Sequence, residues 1–214
     1  MSSIKNLIKG TGSYIIDEIP TPDSVLKSIT TGTKVLRCNS SGTTAIQSKS
    51  AYGSWEFSVY KGADVNQPYF NIITDRANPS LPVYQEGYQL SLVSNESILL
   101  RQVNNTAVPV NLFQTAASYI ANNTWYRLKV ARLKSAGTFA SIVPSMTTTY
   151  PADTFAVFIK GGSFGDDWTL VDTTGGSGTN PVTDSTYTTS NYFVADLDTG
   201  DRIANLKIYN GVKQ

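Results

Sequence analysis

Histidine is absent from the 214 residues of the chain, and cysteine occurs once, as Cys38. Without an imidazole the chain cannot assemble a Ser-His-Asp or Cys-His nucleophilic site, and it lacks the commonest zinc ligand. A lone cysteine excludes an intrachain disulfide, and its place in the apolar-rich run Lys34 to Cys38 reads as a buried, inert thiol. Charge is also scarce: Asp, Glu, Lys and Arg make up 15% of the residues, against about 25% in an average soluble domain. The 17 basic and 16 acidic residues leave a net charge of +1, too little to draw in a polyanion, so nucleic acid is not an expected partner. No run reaches the ~18 apolar residues of a membrane-spanning helix. The opening MSSIKNLIKG lacks the roughly 7 to 15 apolar residues of a signal peptide. The expectation is a chain made and kept in a cytosol until something releases it.

Ser, Thr, Asn and Gly take the place of the missing charge, and 40% of the residues are hydrophobic. That composition suits short strands joined by polar turns, since Thr fits a pleat and Gly and Asn supply positive φ angles. Alternation is the dominant pattern from about residue 33 onward. Trp55, Phe57 and Val59 oppose Glu56, Ser58 and Tyr60; Tyr88, Leu90 and Leu92 share a face; Tyr126, Leu128 and Val130 oppose Trp125, Arg127, Lys129 and Ala131. Further strands are predicted at 34–38, 68–74, 97–103, 107–113, 154–160, 167–172, 190–197 and 202–209, with turn clusters between them. The predicted fold class is all-β, an antiparallel β-sandwich with little helix. Only 24–29 and 115–120 offer a turn or two of helix. Residues 1–24 read as an N-terminal arm or anchor, and 25–214 as one sandwich domain. Two long stretches, 135–152 and 173–186, interrupt the strand rhythm. The first reads as a contact loop or as a weak hairpin, because Phe139, Ile142 and Val143 need burial.

No catalytic set can be located. A retaining glycosidase needs two carboxyl groups about 5 to 5.5 Å apart; Glu56 stands alone on its strand face, and Asp196 and Asp198 run into a turn at Thr199-Gly200-Asp201. The string from Asp196 fails as an EF-hand loop, with Gly200 at position 5 and Lys207 at position 12. A looser calcium site using Asp201, Asp166 or Asp167 stays open. Neither Gly161-Gly162-Ser163-Phe164-Gly165 nor Gly175 to Gly178 leads into Lys-Ser/Thr or a helix start, so neither is a phosphate cradle. The expectation is no catalytic residue, no metal and no cofactor. Aromatics are the remaining lead, with 12 Tyr and 3 Trp. Trp125 on a polar strand face, and Trp168 after the Gly165-Asp166-Asp167 turn, could stack on sugar rings while Asp166 and Asp167 bind hydroxyls. The alternative is that both indoles cover a sheet face or an interface.

The ordered segments 51–62, 87–92, 123–132, 155–162, 188–194 and 200–209 resemble the concanavalin A-like lectin/glucanase superfamily, especially the laminin G-like modules of tailed-bacteriophage virion proteins. The resemblance covers about residues 33 to 211. It implies a jelly roll whose last strand, Arg202 to Tyr209, returns beside the first. It also implies a non-enzymatic structural protein of a phage head or tail, localised to the virion, with other virion proteins as partners and several copies assembled together. A glycan-binding module for host-surface polysaccharide is the alternative, and a glycosidase ranks below both. The Glu-x-Asp-x-x-Glu strand of the superfamily's glucanases is missing, and with no histidine the legume-lectin metal set is incomplete.

Overall fold

The computed structural model describes residues 9–10, 13–18, 34–77, 86–104 and 107–212. They form an all-β sandwich of two antiparallel sheets. The front sheet runs β1 (Lys9–Gly10), β4 (Gly42–Gln47), β15 (Tyr192–Leu197), β6 (Tyr69–Thr74), β7 (Gly87–Leu92), β8 (Ile98–Asn104), β9 (Ala107–Gln114) and β13 (Ser177–Gly178). The back sheet runs β12 (Thr169–Leu170), β11 (Thr154–Lys160), β10 (Trp125–Arg132), β5 (Gly53–Tyr60), β16 (Arg202–Tyr209), β3 (Lys34–Ser40) and β2 (Ser13–Glu18), and β14 (Val182–Thr183) also pairs with β11. The helical element among the described residues is a single 3-10 turn at Gly162–Phe164. Among the described residues no helix is long and apolar enough to cross a membrane.

Alternation produces this architecture because successive side chains leave a strand on opposite faces. Trp55, Phe57 and Val59 of β5 and Tyr126, Leu128 and Val130 of β10 meet Phe70, Tyr88, Leu90 and Phe193 of the front sheet in one buried cluster. The Phe57 ring lies 4.5 Å from that of Phe70 and 5.7 Å from that of Phe193. Each such side chain contributes about 1.5–3 kcal/mol on burial. In β6 a register shift between Asn71 and Ile73 lets Ile72 and Ile73 both enter the core while Asn71 stays on the outer face. The last strand, β16, pairs with β3 on one side and β5 on the other, which joins the two ends of the sandwich as the jelly-roll resemblance implies.

Several local expectations change. The helical turn predicted at 115–120 is a non-helical segment bonded to the turn at 94–96: Ser118 N donates to Asn95 O, Ile120 N donates to Glu96 O, and Ser118 sits at φ 57°. A left-handed residue there breaks the α path. The strand predicted at 167–172 shrinks to Thr169–Leu170, and Gly42–Gln47 is a strand the alternation did not mark. Two stretches of the expected arm are strands, Lys9–Gly10 on β4 and Ser13–Glu18 on β3, while 24–29 lies outside the described residues. The 135–152 stretch is not a free loop, and its hairpin pairing amounts to one antiparallel bridge. It is a run of turns closed by the bridge Gly137 to Tyr150, and it lays Phe139 and Ile142 on Ala131, Ala156 and Phe158 of the back sheet. A second small core therefore covers one corner of that sheet's outer face.

Two buried cations fasten the loops. Lys61 Nζ donates to Ala63 O, Asp64 O, Glu96 Oε1 and Asn122 Oδ1 at 2.6–3.2 Å, tying three turns together. Arg132 is fully buried and donates to Ala51 O, Tyr187 O, Asp184 O and Asp153 Oδ1. Its guanidinium also lies against the rings of Tyr52, Tyr88 and Phe155 at 4.6–5.1 Å.

Candidate functional site

The side chains of the front sheet that do not enter the core share its outer face, where strand register sets them in two rows. One row is Asp196, Tyr69, Ser91, Leu99 and Gln114; the next is Val194, Asn71, Gln89, Arg101 and Asn111. Neighbours along each row stand about 4.8 Å apart. Hydrogen bonds link the polar members. Tyr69 Oη donates to Asp196 Oδ2 at 2.7 Å, Gln89 Nε2 donates to Asn71 Oδ1 at 3.0 Å, and Gln89 Oε1 accepts from Arg101 Nε at 2.7 Å and Ser91 Oγ at 3.2 Å.

Burial sets the electrostatics of this network. Asn71 and Gln89 have no exposed surface, whereas Tyr69, Arg101 and Asp196 are partly exposed. Burial raises the Asp196 carboxyl above the usual carboxylate range, and the hydrogen bond from Tyr69 opposes it in part. Burial, then the Asp196 charge, raises the Tyr69 phenol, which stays protonated. Burial lowers the Arg101 guanidinium, and nearby Tyr69 counters that. Asn71 Nδ2 is buried without an acceptor, a state that costs about 1–3 kcal/mol unless a partner arrives. The network thus presents a carboxylate, a phenol and a guanidinium at the surface, held from beneath by two buried amides.

Chemically this is a set for binding hydroxyl groups, whose oxygens both donate and accept. Among the described strand residues, Asp196 is the single carboxylate of this face. Asp198 is turned into a loop, accepting from Gln67 N at 2.8 Å and Ser41 Oγ at 3.3 Å. The Asp201 carboxylate accepts from Gly62 N and Asn66 Nδ2 at 2.8 Å and Asp198 N at 2.9 Å, so it holds a turn, and the calcium alternative loses that ligand. No group of three or more acidic or thiol side chains able to hold a metal occurs among the described residues.

The sequence-predicted residues lie on the back sheet. Trp125 is 7% exposed, set against Val35, Ala204 and Tyr60 with its ring 5.6 Å from that of Tyr60. Trp168 is half-buried, with Lys129 Nζ at 4.6 Å, Lys160 Nζ at 4.7 Å and Arg127 Cζ at 5.7 Å from its ring. Asp166 and Asp167 are exposed on the turn before it and act electrostatically on Lys160. The structure therefore groups Trp168 with the two acids and leaves Trp125 in another cluster. The front-sheet network was missed, although Gln89 and Ser91 occupy the polar phase of a strand whose apolar phase was read.

The fold is a jelly-roll β-sandwich. No protein-family model matches the chain, and no curated relative matches it by sequence. Solved structures share its architecture. The carbohydrate-binding module CBM66 from Bacillus subtilis aligns with a TM-score of 0.55 at 12% identity over 94% of this chain and 95% of its own. A protein of unknown function with a galectin-like fold, also from Bacillus subtilis, gives 0.55 at 11% identity over 99% and 94%. The carbohydrate recognition domain of Emp46p in its potassium-bound form gives 0.53 at 9% identity over 97% and 90%. At such identities the likeness is one of fold.

Proposed function

We propose that the chain is a glycan-binding module that holds sugar hydroxyls on the outer face of its front sheet and performs no catalysis. The observation that carries this reading is the Tyr69, Asn71, Gln89, Arg101 and Asp196 network, with the buried Asn71 Nδ2 lacking an acceptor. Asn71 and Gln89 form a rigid floor, and partly exposed Arg101, Tyr69 and Asp196 are its accessible side. A single carboxylate on that face argues against a retaining acid pair. The names of two structural neighbours, a carbohydrate-binding module and a carbohydrate recognition domain, are in keeping with the reading. The comparisons give display on a phage virion no support, so glycan binding takes precedence over a purely structural virion role. On a virion such a module would serve attachment to a host-surface polysaccharide.

A polysaccharide array probed with the wild type, Asn71→Ala and Arg101→Ala tests it. The expected result is binding to one class of polysaccharide, weakened about tenfold in Arg101→Ala by loss of one or two hydrogen bonds to a charged donor, and weakened in Asn71→Ala because Gln89, which fixes Arg101, loses its partner. Silence across the array with folded protein ends the reading.

A further inference from the structure

Several glycines of this chain answer a demand of the fold, and Gly211 does not. A β-carbon at Gly53 would lie 2.0 Å from Tyr209 O, and one at Gly176 would lie 2.0 Å from Gln114 O, so neither position has room for a side chain. At Gly211 a β-carbon would meet nothing within 4 Å, and the backbone there is not left-handed. The residue before it is Asn210, and no other asparagine of the chain precedes a glycine. The pair follows β16, past the last paired residue, Tyr209 opposite Ser54, and Asn210 is exposed. Among the described residues no backbone hydrogen bond engages Gly211 N. The side chain of Asn210 is nonetheless held, because Ser50 Oγ donates to its Oδ1. An electrophilic amide carbon polarised by a hydroxyl therefore stands next to an uncommitted backbone nitrogen.

We propose that Asn210–Gly211 is a site of self-modification, at which the Asn210 amide becomes aspartate and isoaspartate through a cyclic imide. Hydroxide takes the proton of Gly211 N, the nitrogen bonds to Asn210 Cγ, and the Cγ–Nδ2 bond breaks to release ammonia, which takes its proton from water. Water then adds to one of the two imide carbonyl carbons, and the bond from that carbon to Gly211 N breaks. Addition at Cγ gives aspartate; addition at the backbone carbon gives isoaspartate, whose main chain runs through the former side chain. Nothing is oxidised or reduced. Adjacent residues supply nucleophile and electrophile, so no encounter is needed, and the missing side chain of Gly211 lets its nitrogen approach. The Ser50 hydroxyl stabilises the oxyanion that develops on Oδ1. Isoaspartate lengthens the main chain where there is no slack. The β-carbon position of Gly53 lies 2.8 Å from Gly211 N and 3.0 Å from Asn210 C, and Ser54 Oγ donates to Gly211 O at 3.3 Å. Val212, next in the chain, packs against the second small core with Phe139 and Ile142. The added carbon shifts Val212, so the modification loosens the 135–152 layer.

The test is incubation of the folded full chain at mildly alkaline pH in heavy-oxygen water, followed by peptide mapping with electron-transfer fragmentation. Ser50→Ala and Gly211→Ala accompany the wild type, and the urea-unfolded wild type is the reference. The expected result is uptake of heavy oxygen at Asn210 ahead of every other asparagine, as both aspartate and isoaspartate, at a rate that rises with pH. Gly211→Ala has the space to fold normally and slows conversion by about an order of magnitude, because its β-carbon hinders the approach of the nitrogen. Ser50→Ala slows it several-fold, short of the about 10²–10³ lost with an oxyanion donor in a water-excluded site. Limited proteolysis cuts the isoaspartate form within 135–152 faster than the unmodified chain. Conversion confined to the urea-unfolded chain overturns the proposal, as does an equal rate in Gly211→Ala, which would mean direct hydrolysis without the ring. A Ser50→Ala rate at or above that of the wild type removes the assisting hydroxyl, and unchanged cleavage of 135–152 removes the link to the second core.

Discussion

Arg132 gives the most exacting test of how this sandwich is held together. It is fully buried at the end of β10, and its guanidinium donates to three backbone carbonyls and to Asp153 Oδ1 at 2.6–3.2 Å. Replacing it with Met fills similar space and keeps the packing on Tyr52, Tyr88 and Phe155, but takes the donor from Ala51 O and Tyr187 O and leaves Asp153 Oδ1 and Asp184 O with only the hydroxyls of Tyr52 and Tyr88. Removing one partner of a buried pair costs about 3–5 kcal/mol, out of a total stability of about 5–15 kcal/mol. In a chain of this size that corresponds to a fall in Tm of about 6 to 20 °C, at roughly 2–4 °C per kcal/mol. Arg132→Lys keeps the charge but not the planar fork, so it cannot reach every acceptor and should fall between the two. Urea unfolding followed by tryptophan fluorescence reads the midpoint, with an unchanged m-value as the check that the transition remains the same one. An Arg132→Met protein within about 1 kcal/mol of the wild type would refute the reasoning, because it would mean that water replaces the guanidinium at no cost.

The same logic extends to three other positions. Burial raises the Asp196 carboxyl above its ordinary 3.8, so its contribution to stability is full below that value and is lost as pH rises through the raised folded value. Asp196→Asn should therefore shift the urea midpoint upward at about pH 7 and leave it unmoved at about pH 3; a loss at neutral pH contradicts this. Burial, followed by the charge of Asp201, pushes the Cys38 thiol up to about 11, and its Sγ meets Ser40 O and Leu197 O. Iodoacetamide should leave Cys38 untouched in the native protein and label it in urea, and fast native labelling would rule out the packing described. Phe139 lies 6.0 Å from Phe158 and 5.5 Å from Tyr150, centre to centre, within the layer over the back sheet. Phe139→Ala should cost about 3 kcal/mol and expose 135–152 to limited proteolysis, with cleavage elsewhere counting against a separate layer.

What could be read from the sequence followed from periodicity. Trp55, Phe57 and Val59 announce the face they bury because a sandwich gives each strand one inside. Arg132 falls in phase with Tyr126, Leu128 and Val130, so its interior position was readable; its partners at Ala51, Asp153, Asp184 and Tyr187 come from three separate segments and were not. Gly42–Gln47 was missed because Thr43 and Thr44 blur the contrast between faces, although both are buried. The Tyr69 to Asp196 pair spans 127 residues of chain and exists only after β15 lies beside β6. Trp125 and Trp168 attracted notice as indoles, but which residues cover a ring depends on the neighbouring strands.

Polar phases of strands are ordinarily assigned to water, and on that basis both outer faces here would be inert. Burial indicates otherwise, for opposite reasons on the two sheets. On the front sheet, Asn71 and Gln89 are buried and neutral and fix the partly exposed Arg101 by hydrogen bonds, so the face is rigid before any ligand arrives, which lowers the entropic cost of binding. On the back sheet, Arg127 and Lys129 are buried against Glu56 and beside the Trp168 ring, so their charge is held within the protein. A net charge near zero is an average over surfaces, and a sandwich can place cations on one sheet and neutral amides on the other without altering that average. The front face selects by hydrogen-bond geometry, so its binding should respond little to salt. A polysaccharide whose binding falls steeply with salt would contradict selection by hydrogen-bond geometry.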